Sequence, residues 1–218
     1  MELISLLLYA DDMVLLSSKE DELASMLKVM DKVSAGLGLW INASKTKIMA
    51  IPGHAKGAGV GMEGVEGCQE VEISGARVEV INQFKYLGSM LVNDGKLQVE
   101  LAARKTKAVF SFRQFEKMWG IRHLSGATKM KCYRAYVLPI LLCGSETWSL
   151  SQAQLLVLER VHTSCLRSIL GVKLSDRHSN AHVRAKCGAT TLSTIISTNR
   201  LRWLGHVGRM EHGRLPHI

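Results

Sequence analysis

Two adjacent carboxylates, Asp11 and Asp12, follow Tyr9 and Ala10 and stand between two apolar runs, Leu3 to Leu8 and Met13 to Leu16. The flanking runs are rich in Leu, Ile and Val and end at Ser17 and Ser18, so the segment reads as a hairpin of two buried strands with the acids at its turn. A turn lifts both acids out of the apolar layer, where hard divalent cations can bridge them to phosphate oxygens. Aspartate also favours turns for its own backbone chemistry, so the pair taken alone describes a plain hairpin closure equally well.

The second chemical signal is basic. The 218-residue chain carries 28 Lys and Arg against 19 Asp and Glu, a net charge of +9. Residues 1–83 are net −5 and residues 84–218 are net +14. An acidic part able to hold metals, followed by a basic part, suits a protein that grips a polyanion with one region and does chemistry with the other. A basic solvated surface is the competing account. The basic residues are spread over several helical segments and form no compact run, which disfavours a membrane-surface anchor. Arg104, Lys105, Lys107, Arg113 and Lys117 fall mainly off the apolar face of one such segment, where they face solvent or phosphate. Arg200, Arg202 and Arg209 surround Trp203, but Trp203 is in phase with Leu192, Ile195, Ile196 and Val207, which places it in a core.

His178 and His182, with Cys165 before and Cys187 after, raise a zinc site, yet spacings of thirteen, four and five match no common ligand pattern. The five cysteines are odd in number and never spaced as CxxC, which suits reduced thiols in the core of a cytosolic or nuclear protein. The opening apolar run is too short to span a bilayer and lacks a basic leader, so neither a signal peptide nor a membrane helix is expected. With 47% hydrophobic residues the chain can bury a sizeable core as a folded, soluble protein of one large or two small domains.

The elements that must position these groups are legible from periodicity. Ser17 and Ser18 ahead of Glu20, Asp21 and Glu22 form a capping-box start, and Leu23, Met26, Leu27, Met30, Val33 and Leu37 give the helix one apolar face before Gly36 and Gly38 end it. A strand-like run spans 47–51. Residues 52–69, with Pro52 and six glycines, read as an exposed loop. Two short runs, 71–74 and 77–81, joined by Gly75 and Ala76, suggest a small hairpin, with Phe84 to Gly88 following it. From Lys96 the period becomes helical, with Leu97, Leu101, Ala108, Phe112, Phe115 and Trp119 on one face, so a boundary falls near residue 95. Three more helical segments are expected near 126–142, 151–170 and 191–210, the first kinked or ended by Pro139. No internal repeat or low-complexity tract is visible.

Several landmarks occur together. Tyr9-Ala10-Asp11-Asp12 resembles the catalytic YADD of reverse transcriptases from non-LTR (LINE-type) retrotransposons. Residues Gly36 to Lys47, reading GLGLWINASKTK, resemble the palm motif that follows it. Phe84-Lys85-Tyr86-Leu87-Gly88 resembles the primer-grip hairpin of such enzymes. Gly144 to Trp148, Cys165 to Gly171 and Arg200 to Val207 resemble landmarks in and after the thumb. The order and distances of these segments match the family's from the active-site hairpin onward.

The resemblance implies an α+β fold: a partial right-hand polymerase palm of antiparallel hairpins plus helix over 1–95, a mainly helical thumb over 96–150 and a helical extension over 151–218. It implies nucleotidyl transfer with two Mg²⁺ ions, using an RNA template, a DNA primer and deoxynucleoside triphosphates, in an intracellular, nuclear or cytoplasmic setting without a membrane. Asp11 becomes the metal ligand, Asp12 its weaker companion, and Tyr9 a neighbour of the incoming nucleotide or primer end. Lys45 becomes a group that orients or protonates the pyrophosphate, though an exposed lysine at a strand start fits as well. Phe84, Lys85, Tyr86 and Gly88 become the primer grip, against a plain hairpin with aromatic core residues. Arg104, Lys105, Lys107, Arg113 and Lys117 become a grip on an RNA–DNA hybrid through phosphate contacts. In the family the first catalytic aspartate, the fingers and the template-binding segments lie upstream of YADD, whereas Met1 is eight residues before Tyr9. The expectation is therefore a C-terminal half that is inactive alone, with a non-catalytic basic nucleic-acid-binding module or a non-functional relic as alternatives.

Overall fold

The computed structural model describes residues 4–51, 72–73 and 75–211. The chain divides into two compact units, one of residues 1–86 and 91–95, the other of 87–90 and 96–218. The expected loop at 52–69 and Cys68 lie outside the described residues, as do the residues beyond 211.

In the first unit, β1 (Leu6–Tyr9) and β2 (Asp12–Leu15) pair antiparallel with Leu7 opposite Val14 and Tyr9 opposite Asp12. The helix α1 (Glu20–Gly36) follows. Its start differs from the capping box expected of Ser17 and Ser18. Lys19 occupies the cap position without a side-chain bond to the helix, while the Ser17 hydroxyl accepts from Lys19 N and donates to Glu22 Oε2 at 2.7 Å. Three acids in the first turn favour the start through the helix dipole instead. At the other end Gly38 takes φ +75° while the amides of Leu37, Gly38 and Leu39 donate back to Ser34 and Ala35. This wraps up the last turn as glycine permits.

β3 (Lys47–Ile48) pairs parallel with β6 (Glu79–Val80), with Lys47 Nζ 2.7 Å from Glu79 Oε2. β4 (Glu72–Ile73) and β5 (Ala76–Arg77) make the small antiparallel pair. The core of this unit is slight: Leu27, Ile48, Ile73 and Val78 are buried, with Leu15, Leu23 and Val80 packed around them. The expectation of two buried strands at the acids is not met. Leu6, Leu8 and Met13 are exposed because β1 and β2 form a two-stranded ladder, with no third strand among the described residues to cover it. Val33 on α1 and Leu37 just past its end are likewise exposed, so the expected apolar face is buried mainly around Leu27.

β7 (Gln83–Tyr86) and β8 (Ser89–Val92) are joined by the two-residue turn Leu87-Gly88. The second unit then continues with α2 (Gln98–Gln114), α3 (Glu116–Trp119), α4 (Gly126–Tyr136), α5 (Leu138–Leu141), α6 (Gln152–Leu170), α7 (Asn180–Cys187) and α8 (Leu192–Val207). The break between α4 and α5 falls at Val137, two residues before Pro139, whose missing N–H and ring cannot continue the previous turn. Ser151 and Gln154 form a reciprocal capping box on α6, and Gly171 closes that helix in the left-handed region at φ +68°. The helix α7 was not expected from the sequence: it is eight residues long, too short for a clear period, although Ser179 caps it.

One hydrophobic core runs through these helices. Leu101, Ala108, Trp119, Met130, Tyr133, Leu141, Trp148, Leu158, Leu166, Val183, Leu192 and Ile196 are all buried in it. Phe112 stacks on Trp119 at 4.7 Å between ring centroids, with Phe115 tilted against the same indole. Trp203 departs from its expected core position and is 43% exposed. The buried residues of α8 are Leu192 and Ile196, in its first two turns. Among the described residues no helix is long and apolar enough to cross a membrane.

Candidate functional site

The two-residue turn Ala10-Asp11 joins β1 to β2, so Asp11 occupies the tip of the hairpin and Asp12 begins its second strand. Ala10 has φ +52°, a left-handed conformation that an L-alanine adopts at a cost of about 1–2 kcal/mol. The ladder continues past the strand ends, with Leu16 N donating to Ser5 O at 2.8 Å. Tyr9, Asp11 and Asp12 are all exposed, which leaves the two carboxylates open to ions from solvent. The donor chemistry suits a hard cation, since both acids offer oxygen ligands from one turn. Among the described residues no group of three or more His, Cys, Asp or Glu is placed to hold a metal ion.

Lys45 lies in a turn organised by Asn42. The Asn42 side-chain oxygen accepts from Ser44 Oγ at 2.7 Å and from Lys45 N at 3.2 Å, and its carbonyl accepts from Thr46 N at 2.9 Å. The turn fixes the backbone of Lys45 and leaves its side chain exposed.

The hairpin at Phe84 to Gly88 has a definite support. Leu87 at φ +45° and Gly88 at φ +87° both lie in the left-handed region that a tight hairpin turn requires. An added Cβ at Gly88 would meet nothing within 4 Å, so the glycine serves the backbone angle and not a close approach. Arg104 Nη2 donates to Gly88 O at 3.0 Å, and its Nε donates to Glu100 Oε1 at 2.6 Å. The other Glu100 oxygen accepts from Met90 N at 2.7 Å. Glu100 and Arg104 are 3% and 5% exposed, so this clamp is a buried, hydrogen-bonded ion pair. Lys85 is exposed, and Phe84 and Tyr86 are half-buried on alternate positions.

Arg104 therefore separates from the other basic residues with which the sequence groups it. Lys105, Lys107, Arg113 and Lys117 are exposed, but Arg104 is held by Glu100 and Gly88 and does not stand on a solvent face. The signal available in the sequence was the four-residue spacing of Glu100 and Arg104, an ion-pair spacing on a helix.

The remaining landmarks are structural. Arg200 Nη2 donates to the Trp148 carbonyl, Ser145 is fully buried, and Gly144 takes φ +77° ahead of a short 3₁₀ turn at Ser145–Thr147. Arg167 Nη2 donates to His178 O at 2.7 Å and Asn180 Oδ1 at 2.9 Å, tying the end of α6 to the start of α7. In the buried centre, Tyr133 Oη and His162 Nδ1 are 2.7 Å apart. Burial pushes the Tyr133 hydroxyl well above its ordinary range, which keeps the proton on tyrosine. Burial also lowers the pKa of His162, against the opposing influence of Glu159 and the Thr190 backbone.

At the weighed zinc site, His178 and His182 are exposed and stack at 5.0 Å, whereas Cys165 and Cys187 are buried. Burial pushes the Cys165 thiol to about 12, against the thiolate a metal would need. Of the other cysteines expected in the core, Cys143 is exposed and Cys132 half-buried.

Residues 2–91 match the reverse transcriptase (RNA-dependent DNA polymerase) family. The chain is also similar to a transposon-derived protein of Caenorhabditis elegans, 24% identical over 219 residues, spanning 94% of this chain and 72% of that protein. No solved structure matches the chain. The matched stretch thus contains the hairpin with Asp11 and Asp12 at its turn and the Leu87-Gly88 turn of the second hairpin.

Proposed function

We propose that the chain is the C-terminal part of an RNA-directed DNA polymerase of the non-LTR retrotransposon type, with palm over 1–95, thumb over 96–150 and a helical extension over 151–218. The observation that carries this reading is the placement of Asp11 at an exposed hairpin tip inside the reverse-transcriptase-like stretch. Asp11 and Asp12 would hold Mg²⁺, which when bound stabilises the attacking and leaving oxygens of an in-line displacement at phosphorus. Tyr9 borders the nucleotide, Lys45 meets the charge developing on the pyrophosphate, and the Phe84 to Gly88 hairpin positions the primer end. Arg104 holds the turn of that hairpin through the Gly88 carbonyl, and Lys105, Lys107, Arg113 and Lys117 remain for phosphate contact.

Among the described residues, two carboxylates on one turn leave a two-metal set short of donors, and on this reading a further acid completes the set in the active polymerase and the chain alone is inactive. The test is template-primed extension with Mg²⁺ and deoxynucleotides: the chain alone gives no synthesis, and robust synthesis that Asp11→Asn abolishes would contradict the inactivity. The second reading, a non-catalytic nucleic-acid-binding module, is favoured by the charge asymmetry of −5 against +14. Template–primer binding that weakens steeply with salt and is unchanged by Asp11→Asn supports that reading if no longer form of the chain extends a primer.

A further inference from the structure

The helical unit carries a cleft of about 510 Å³ where α2 and α3 meet α6. Its lining combines Val109, Phe112, Trp119 and Val161 with two cations from different helices, Arg113 and Arg160, and the hydroxyls of Ser164 and Ser168. Both arginines are exposed, and neither guanidinium has an ion-pair or hydrogen-bond partner among the described residues. This sets them apart from Arg104, Arg134, Arg167 and Arg200, whose guanidiniums are engaged by carbonyls of the unit. Glu116 is the one carboxylate in the lining, so the wall is net positive but not uniformly so.

We propose that this cleft is a binding site for one nucleotide unit of a single-stranded nucleic acid, with its phosphate on Arg113 and Arg160 and its base against the apolar wall of Val109, Phe112 and Val161. The inference rests on the reading of the helical half as a nucleic-acid grip and deepens it by naming α6, outside the expected thumb, as half of a specific site. Several observations select this occupant. A cleft of this volume takes a mononucleotide-sized group. The apolar wall of Val109, Phe112 and Val161 accepts the flat face of any base, with Trp119 buried and stacked on Phe112, and an unpaired base is free to leave its strand and enter. Two free guanidiniums and the Ser164 hydroxyl are donors suited to a phosphate, while the Ser168 hydroxyl donates to the Ser164 carbonyl at 3.2 Å. Glu116 accepts hydrogen bonds from an amino-bearing base edge, and it repels the side chains of an acidic peptide. The surrounding half of the chain, net +14, attracts the polyanion that delivers the nucleotide.

The test is fluorescence anisotropy of the full chain with a labelled oligocytidylate, titrated with salt. The variants are Arg113→Gln with Arg160→Gln, and Ser164→Trp, which fills the cleft without changing charge. Lys131→Gln with Lys186→Gln removes the same charge from exposed positions elsewhere on the unit. Thermal melts verify that each variant is folded. The double arginine variant binds about tenfold or more weakly, with the log–log salt slope reduced by about 1.4, while the lysine pair costs about threefold. Ser164→Trp weakens binding with an unchanged slope.

If the wild-type chain binds but the arginine pair loses no more than the lysine pair, the cleft assignment is overturned and the wider nucleic-acid reading survives. If the wild-type chain fails to bind at low salt, both fall. Displacement of the oligonucleotide by polyglutamate at equal charge concentration, dependent on Arg113 and Arg160, overturns the nucleotide assignment in favour of an acidic peptide.

Discussion

The hairpin that carries Asp11 and the hairpin that carries Gly88 solve the same local problem and are supported in different ways. Each joins its strands through a two-residue turn, and each places a non-glycine residue, Ala10 or Leu87, at positive φ in the first turn position. The second turn is gripped by the buried Glu100–Arg104 pair, which takes the Gly88 carbonyl and the Met90 amide. At the first turn Asp11 and Asp12 are exposed, and the strands show Leu6, Leu8 and Met13 to solvent. The difference suits their proposed tasks. A carboxylate pair that must meet ions keeps its oxygens free, whereas a turn that positions a strand end is fixed by the fold. It also shows that a strained turn does not by itself identify a chemical site, since both hairpins have one.

The largest effect should come from breaking the clamp. Glu100→Ala leaves Arg104 buried without its carboxylate and removes the acceptor for Met90 N, which should destabilise the helical unit by about 3–5 kcal/mol. Chemical denaturation read by near-ultraviolet circular dichroism would check it. A loss near zero would mean that the second hairpin is no better anchored than the first. Native-state amide exchange sharpens the same contrast: the amides of Leu7 and Val14 should exchange well before that of Met90, and in Glu100→Ala that order should shrink or vanish.

A smaller effect is expected from the buried hydrogen bond between Tyr133 and His162. Tyr133→Phe should cost about 1–2 kcal/mol, because the His162 Nδ1 loses its hydrogen-bond partner in a buried site. The same pair sets a pH dependence. His162 has a folded pKa below its ordinary value of 6.5, so below that pH the unfolded chain binds more protons than the folded one. The contribution is present above pH 6.5 and is lost as pH falls towards the folded pKa. Cys165, held near 12 instead of 9, acts in the other direction: stability is lost as pH rises above 9. Melting temperature measured across pH should therefore fall on both sides, and the acid limb should flatten in His162→Gln.

The smallest effects concern the turns themselves. Leu87→Gly and Ala10→Gly each relieve an L-residue at positive φ and should stabilise locally by about 0.5–1 kcal/mol after the entropy of glycine is subtracted. Leu87→Gly should raise the transition of the helical unit. Ala10→Gly should slow exchange in the first hairpin without moving that transition.

The first hairpin was legible because an apolar–polar–apolar pattern with two acids at its centre is a local signal. The same holds for α6, expected near 151–170 and found at Gln152–Leu170. Burial was less legible, because it depends on what packs across the chain. The strands beside Asp11 read as buried from their composition and stand in a two-stranded ladder, while Trp203 was in phase with buried residues yet lies beyond the reach of the core. Arg104 looked like its basic neighbours until Glu100, one turn earlier, and Gly88, sixteen residues back, were seen to claim it. The cleft of Arg113 and Arg160 could not be read at all, since its two walls are more than forty residues apart in sequence.

The most direct test of the central claim is template-primed extension by the chain joined to whatever residues are encoded in frame ahead of Met1, compared with the chain alone and with Asp11→Asn in both. The account predicts synthesis only by the longer protein, lost in its Asp11→Asn variant. Synthesis by the chain alone, or synthesis by the longer protein that survives Asp11→Asn, would contradict it.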